Sequence, residues 1–296
     1  MTQIQVTKRN GNREALDLEK LHKVVFWATQ GITGVSASEV EIKSHLQFYN
    51  GIKTAEIQET LIKSAADLIS EETPNYQYVA GRLICYHLRK QVYNDYEPWP
   101  LLDLVRRNAD NGFYDRDLVA AYSVDEWKSM DGWIDHSRDE NFTYAAMEQW
   151  RGKYLVQNRV TKEIYETPQV TYMLIAATLF QKYPKETRMR WVKEYYDAIS
   201  NHDISLPTPV MAGVRTPQKQ FSSCVLIESD DSLDSINATT SAIVKYVSQK
   251  AGIGIGAGRI RALGSPIRSG DAYHTGVVPF FKLFQAATRS CSQGGV

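Results

Sequence analysis

Residues 221–236 read FSSCVLIESDDSLDSI, and their order decides the fold class. An apolar β-like run ends in acidic residues, and Ser232-Leu233 then opens a helix predicted over 233–250. A second β-like run, 253–256, follows that helix, and another helix is predicted over 277–290. Upstream, 204–211 also reads as a short strand. Strand alternating with helix argues for a parallel sheet or a barrel, because a parallel return needs a crossover. A closed barrel needs about eight to ten such units, so residues 203–296 supply only its first part.

Working outward, the N-terminus predicts a different module. Ile4 and Val6 alternate with polar residues, Asn10-Gly11 signals a type I′ turn, and REAL starts the return strand. Asp17 is placed to cap a helix carrying Leu18, Leu21, Val25 and Ala28 at helical spacing. Ser38 with Glu41 forms a capping-box pattern for a second helix. Thr54 is placed to cap a third, with Ile57, Leu61, Ala65 and Leu68 on one face, and a fourth runs from about Asn75 toward Lys90. A hairpin plus a four-helix bundle fills 1–93, and NDYEPWP reads as its boundary. Residues 94–202 form a helical region. In it KYLVQNRVTKEIYE reads as strand, turn and strand, Thr167-Pro168 starts one helix, and Pro184 precedes another.

The composition is that of an ordinary globular chain, with 34 Lys+Arg against 34 Asp+Glu in 296 residues. No global charge favours DNA, RNA or a membrane, so a bound anion needs a local cluster. Three cysteines, Cys85, Cys224 and Cys291, are too few and scattered for a disulfide framework or a zinc site. MTQIQVTKRN lacks a signal-peptide core, and no apolar run is long enough to span a bilayer. The expectation is a reducing, cytoplasmic setting with no metal held by this chain.

Several residues offer chemistry. Lys8 and Arg9 sit at the hairpin tip, and Lys20 and Lys90 are placed to converge on them. With Thr54 at a helix start they make either a triphosphate cradle or a solvated basic surface. GIGIGA, 252–257, has the spacing of a dinucleotide fingerprint, but it follows a helix and a proline soon interrupts the next segment. A glycine-rich strand that a ligand approaches closely fits better. Asp231, Ser232 and Leu233 begin a helix, with Arg261 and Arg268 downstream. They read either as a nucleotide contact or as an N-cap plus exposed arginines. Cys224 is either a small core residue or a redox thiol, and Ser222 and Ser223 beside it invite a polar ligand. Thr208, in SLPTP, lies near in sequence. His45, His87, His136 and His274 have no metal-ligand spacing.

VTKRNG with its hairpin and helices resembles the ATP-cone domain. LPTPVMAGVRTP, FSSCVLIE, DSLDSINAT, SAIVKYVSQKAGIGI, GRIRALGSPIR and SCSQGGV resemble the large subunit of class Ia ribonucleoside-diphosphate reductase. The resemblance covers the whole chain but well under half of the family's sequence. It implies an ATP cone, a helical region and the first strands of a ten-stranded α/β barrel. It also implies thiyl-radical reduction of ribonucleoside diphosphates to deoxyribonucleoside diphosphates for DNA synthesis. The radical would come from a small subunit with a di-iron tyrosyl centre, and the electrons from a cysteine pair that thioredoxin or glutaredoxin later reduces. Cys224 matches the first cysteine of that pair. Thr208, Ser223 and Gly252 match substrate positions. Asp231, Ser232, Leu233, Arg261, Ile267 and Arg268 match the specificity-effector site, and Cys291 to Val296 match the loop that relays its state. Lys8, Arg9, Glu14, Asp17, Lys20, Thr54 and Lys90 match the cone's ATP/dATP positions, where Mg2+ accompanies the nucleotide.

Three positions depart from that pattern. Asp17 replaces asparagine and Gln58 replaces histidine in the cone, and added negative charge beside a triphosphate weakens binding. Gly256 replaces asparagine, with no consequence argued. The radical cysteine, the second reducing cysteine and the radical-relay tyrosines lie beyond residue 296 in the family, and Cys291 falls on a different loop. The expectation is therefore a chain active only with a C-terminal large-subunit fragment, the isolated chain being inactive. The alternative is a non-catalytic nucleotide-binding regulatory fragment.

Overall fold

The computed structural model describes residues 4–45, 47–249 and 251–291, in two compact units. The first comprises the chain up to Leu206 with Val210–Gln218, and the second Pro207–Pro209 with the chain from Lys219 on.

The first unit opens with β1 (Gln5–Thr7) and β2 (Arg13–Ala15), antiparallel with Val6 opposite Glu14. The connection is not a type I′ turn. The Gly11 amide donates to the Lys8 carbonyl (2.9 Å) and only Gly11 takes a positive φ (+85°), so Arg9-Asn10 form the turn and Gly11 the bulge after it. α1 (Leu18–Thr29) starts where the Asp17 carboxylate accepts from the Lys20 amide (3.1 Å), and it buries Leu21, Val25 and Ala28. α2 (Ala37–His45) begins before Ser38, which therefore lies inside the first turn instead of capping it. α3 (Thr54–Ala66) is capped at Lys53, whose amide donates to the Glu56 carboxylate, so Thr54 is its first helical residue and not its cap. α4 (Tyr76–Tyr93) is the central helix, burying Val79, Leu83, Ile84 and Leu88 against α1 and α3.

The same helix carries the next layer. α5 (Leu101–Asp110), α6 (Arg116–Ala121), α7 (Val124–Trp133) and a 3-10 turn (His136–Asn141) lead to α8 (Tyr144–Gln149). Gly81 of α4 is needed where that layer crosses, because a Cβ there would run into the Phe142 carbonyl. α8 passes into a π-helical turn, Trp150–Tyr154. The expected strand pair after it is reduced to one bridge, Gln157 with Ile164. Backbone bonds flank that bridge, from the Asn158 amide to the Glu163 carbonyl (2.8 Å) and from the Tyr165 amide to the Val156 carbonyl (3.0 Å). Side chains take other donors: the Val156 amide goes to Glu166 (2.6 Å), and Asn158 Oδ1 accepts from Val160 (2.9 Å) and Thr161 (3.1 Å). α9 (Pro168–Phe180) is buried on all sides from Pro168 to Ala177, and α10 (Lys185–Ser200) packs along it. α11 (Thr208–Gly213) replaces the strand expected over 204–211, since Pro209 suits the first turn of a helix.

Two buried charges define this unit. Glu166 and Arg215 are both wholly inaccessible. The carboxylate accepts from Arg215 Nε (2.8 Å) and Nη2, from the Tyr114 hydroxyl (2.6 Å) and from the Val156 amide (2.6 Å). The guanidinium also donates to the carbonyls of Met211 (2.6 Å) and Tyr154 (3.0 Å). Asp139, also buried, has less help. Burial pushes its carboxyl up to about 7 against the opposing pull of the Arg89 guanidinium. The native protein then keeps a proton that the unfolded chain releases near pH ~4, so this contribution to stability falls as pH rises from about 4 to about 7. Asp139→Asn is expected to gain stability relative to the parent across that window, read as a pH-dependent difference in denaturant midpoint.

In the second unit β3 (Cys224–Glu228), α12 (Leu233–Ser248) and β4 (Gly252–Gly256) make a parallel strand-helix-strand unit, with Cys224 opposite Gly252 and Glu228 opposite Gly256. β5 (Pro266–Ile267) and β6 (Ala272–Tyr273) pair antiparallel around a 3-10 turn, and α13 (Val278–Ser290) follows. Ile236, Ile243, Val247, Phe284 and Ala287 form the core, with Ile253 and Ile255 of β4 packed against it. The described strands form three separate two-stranded sheets, none closed into a barrel.

Candidate functional site: a cone cavity, a capped loop and an open thiol face

A cavity of about 720 Å³ lies between the β1–β2 hairpin and helices α1, α3 and α4. That is the size range of small-molecule sites. All seven residues singled out in this region line it: Lys8, Arg9, Glu14, Asp17, Lys20, Thr54 and Lys90. The hairpin tip brings Lys8 and Arg9 in, and Arg9 donates to the Lys90 carbonyl near the end of α4. Lys8 Nζ is 2.8 Å from Glu14 and Lys20 is 3.4 Å from Asp17. The Lys8 hydrogen bond holds the Glu14 carboxyl below the usual range, and the Lys20 amide does the same for Asp17. Partial burial lowers the Arg9 pKa. Four cations against two carboxylates leave a positive cavity, and the start of α3 adds its dipole end. Lys90 Nζ sits 3.0 Å from Asp95, outside the lining.

Sequence reading missed Tyr86, whose ring lines the cavity and lies 6.1 Å from Trp27 and 5.6 Å from Tyr96. A helical position next to a cation cluster was the available signal for Tyr86. Gln58, named from the resemblance as a departure from the cone pattern, does line the cavity, and among the described residues its buried Oε1 has no hydrogen-bond partner.

In the second unit the Asp231 carboxylate accepts from the Arg261 amide (3.1 Å) and Nε (2.5 Å), which holds its pKa down. Arg261 also donates to the Pro266 carbonyl (3.2 Å), tying the loop to β5 beside Ile267. Ser232 caps α12 through the Ser235 amide (3.1 Å). Leu233 is exposed, and Arg268 projects from a left-handed backbone (φ +51°) with Asp271 3.8 Å away. Asp231 and Arg261 are thus joined directly, with Ser232 and Leu233 following Asp231 in the chain and Ile267 and Arg268 following Pro266, the residue Arg261 also holds.

Cys224 is exposed and not a core residue. β3 turns Val225 and Ile227 partly inward and Cys224, Leu226 and Glu228 outward. The opposed residues of β4 on that outer face are Gly252, Gly254 and Gly256. The sheet therefore presents a thiol above bare backbone. A Cβ on Gly252 would come within 3.6 Å of Cys224 Sγ, and one on Gly254 would strike Leu226 at 2.7 Å. Ser223 precedes the thiol and is exposed, and Thr208 is exposed at the start of α11. GIGIG is itself a strand, so it cannot be the strand-to-helix turn of a dinucleotide fold. Cys291 ends α13 against the core, and Ser292–Val296 lie outside the described residues. Among the described residues no group of three or more His, Cys, Asp or Glu could hold a metal. No described helix is long and apolar enough to cross a membrane.

Residues 4–91 match the ATP cone domain family, 140–219 the ribonucleotide reductase all-alpha domain and 222–296 the ribonucleotide reductase barrel domain. The chain is 62% identical to ribonucleoside-diphosphate reductase 1 subunit alpha of Escherichia coli over 98% of its length. Over nearly its whole length the chain is thus similar to the N-terminal part of ribonucleotide reductase large subunits. It is 61% identical to the subunit alpha of Haemophilus influenzae over 99% of its length, and 47% identical to that of Enterobacteria phage T4 over 100%. It spans only 38% of the length of the first of these relatives and 39% of the other two. The three matched families follow one another in the order read from the residues: ATP cone, helical region, partial barrel. The match to the barrel family begins two residues before Cys224 and takes in both strands of the thiol face.

Proposed function

We propose that this chain is the nucleotide-sensing and substrate-facing N-terminal portion of a ribonucleoside-diphosphate reductase large subunit. It acts with the remainder of the large-subunit sequence, on the same or another polypeptide, and with a small subunit that supplies the radical. In this reading the cone cavity takes ATP or dATP. Lys8, Arg9, Lys20 and Lys90 meet the phosphates, Thr54 offers its hydroxyl, and Tyr86 gives the base an aromatic face. A magnesium ion carried by the nucleotide would meet Glu14 and Asp17, the two carboxylates of the lining. The Asp231–Arg261 constellation serves a second, effector nucleotide.

Cys224 is the electron donor. Two thiols yield two electrons and two protons and become a disulfide, which a dithiol such as that of thioredoxin resets by exchange. Its partner cysteine belongs to the part of the family sequence outside these residues. The glycine face beside Cys224 leaves room for a ribose, with Ser223 and Thr208 offering hydroxyls. The observation that carries the reading is the exposed thiol on β3 facing glycines on β4, within the segment matched to the reductase barrel domain.

The cavity is testable alone. Lys8→Met is expected to weaken ATP binding by about 10- to 100-fold, the scale of one charge-assisted hydrogen bond, in calorimetric titration. Unchanged affinity would remove Lys8 from the site.

A further inference from the structure

We propose that Arg151 is a coupling residue that transmits occupancy of the cone cavity to the helical region, through Glu59. The proposal rests on the nucleotide reading of that cavity. Arg151 lies in the π-helical turn Trp150–Tyr154, in the segment matched to the reductase all-alpha domain, whereas Glu59 lies on α3 of the cone. The guanidinium is held by two carboxylates at once. Nη1 and Nη2 donate to Glu59 at 2.8 and 3.4 Å, and Nε and Nη2 donate to Glu148 at 3.0 and 2.6 Å. Nearby carboxylates raise the Arg151 pKa despite burial, so it stays a fixed charge.

The cavity wall is one residue away on each cone helix. Gln58 and Tyr86 line the cavity, and their neighbours Glu59 and His87 form the ion cluster. His87 is almost wholly buried, its Nε2 3.4 Å from Glu59 and its Nδ1 without a partner among the described residues. Desolvation holds it down to about 4, and Arg9, a cavity cation, adds to that depression. Gln58 Oε1 also lacks a partner. A ligand that engages Gln58 or neutralises Arg9 therefore shifts the stretches of α3 and α4 that carry Glu59 and His87. The receiving element is a π-turn that closes the C-terminal end of α8, where an α-type bond is the ready alternative register. Its closing bond runs from the Leu155 amide to the Trp150 carbonyl (3.0 Å), and Gln157 donates to the Arg151 carbonyl (2.7 Å). Two arrangements of one element, biased by the cone through a single guanidinium, suffice for coupling.

The test is amide hydrogen exchange of the 296-residue chain with and without ATP, alongside calorimetric titration of the same samples. ATP is expected to slow exchange over residues 148–155 by about 5- to 100-fold, the usual range of intersite coupling. In Arg151→Met that change disappears while ATP still binds, and in Arg151→Lys part of it returns. Should Arg151→Met fold poorly, Glu59→Gln removes the same pair from the half-exposed cone side and is expected to give the same loss. ATP binding without any change at 148–155 in the parent would overturn the coupling and leave the cavity reading intact. A response that persists in both Arg151→Met and Glu59→Gln would also overturn it. Absence of ATP binding to the parent would overturn the cavity reading, and the coupling with it.

Discussion

Replacing Cys224 by serine is expected to abolish nucleotide reduction while leaving the fold untouched. In a preparation completed with the remaining large-subunit sequence and a small subunit, steady-state deoxynucleotide formation should fall by about a thousandfold or more, the scale lost when one member of a set acting as a unit is removed. The side chain is exposed at the first position of β3, and serine keeps its size, so stability should move by no more than about 0.5 kcal/mol. The two readouts separate electron donation from packing. A core cysteine would have given the opposite pattern, with activity kept and stability lost. Cys85 supplies that comparison, because it is buried with its thiol directed at the Asp139 carbonyl (3.1 Å) and burial pushes its pKa well up.

Much of this arrangement was legible in the residues. The Asp17 cap and the helical spacing of Leu21, Val25 and Ala28 appear where the pattern placed them. Each depends on interactions within a few residues, which the sequence displays directly. The strand-helix-strand order around Cys224 was legible for the same reason. Which face of β3 the thiol occupies was not, because CVLIE is apolar on both faces and only pairing with GIGIG shows that the opposed residues are glycines. Thr54 was misread as a cap because Lys53 is an unusual one, and Glu56 accepting its amide is what fixes the helix start. The expected strand over 204–211 failed because proline suits a first helical turn as well as an extended segment. Tyr86, Gln58 and Arg151 are ordinary helical residues by pattern. Their roles come from elements far apart in the chain.

The largest expected effect on stability concerns a pair that no local pattern announced. Glu166→Ala should destabilise the protein by about 3–5 kcal/mol, because it leaves the Arg215 guanidinium buried without its counter-charge. With total stabilities near 5–15 kcal/mol, that is a large share. The same change orphans the Tyr114 hydroxyl and the Val156 amide, which both donate to this carboxylate. Burial and the adjacent carboxylate push the Tyr114 hydroxyl well up, so it remains a donor at any ordinary pH. Replacing both charges, Glu166→Met with Arg215→Met, should cost much less than either single change, since an apolar pair of similar volume has no charge to desolvate. Denaturant midpoints of the three variants measure this, and equal losses in the double and single variants would show that packing dominates over charge.

The role of Cys224 can be read from the thiol itself. The completed protein is incubated with a ribonucleoside diphosphate and no external reductant, then alkylated and analysed by mass. One equivalent of deoxynucleotide should appear for each Cys224 that becomes protected from alkylation, with Cys85 and Cys291 unchanged. Deoxynucleotide formed while Cys224 remains fully alkylatable would contradict the assignment of this thiol as the electron donor.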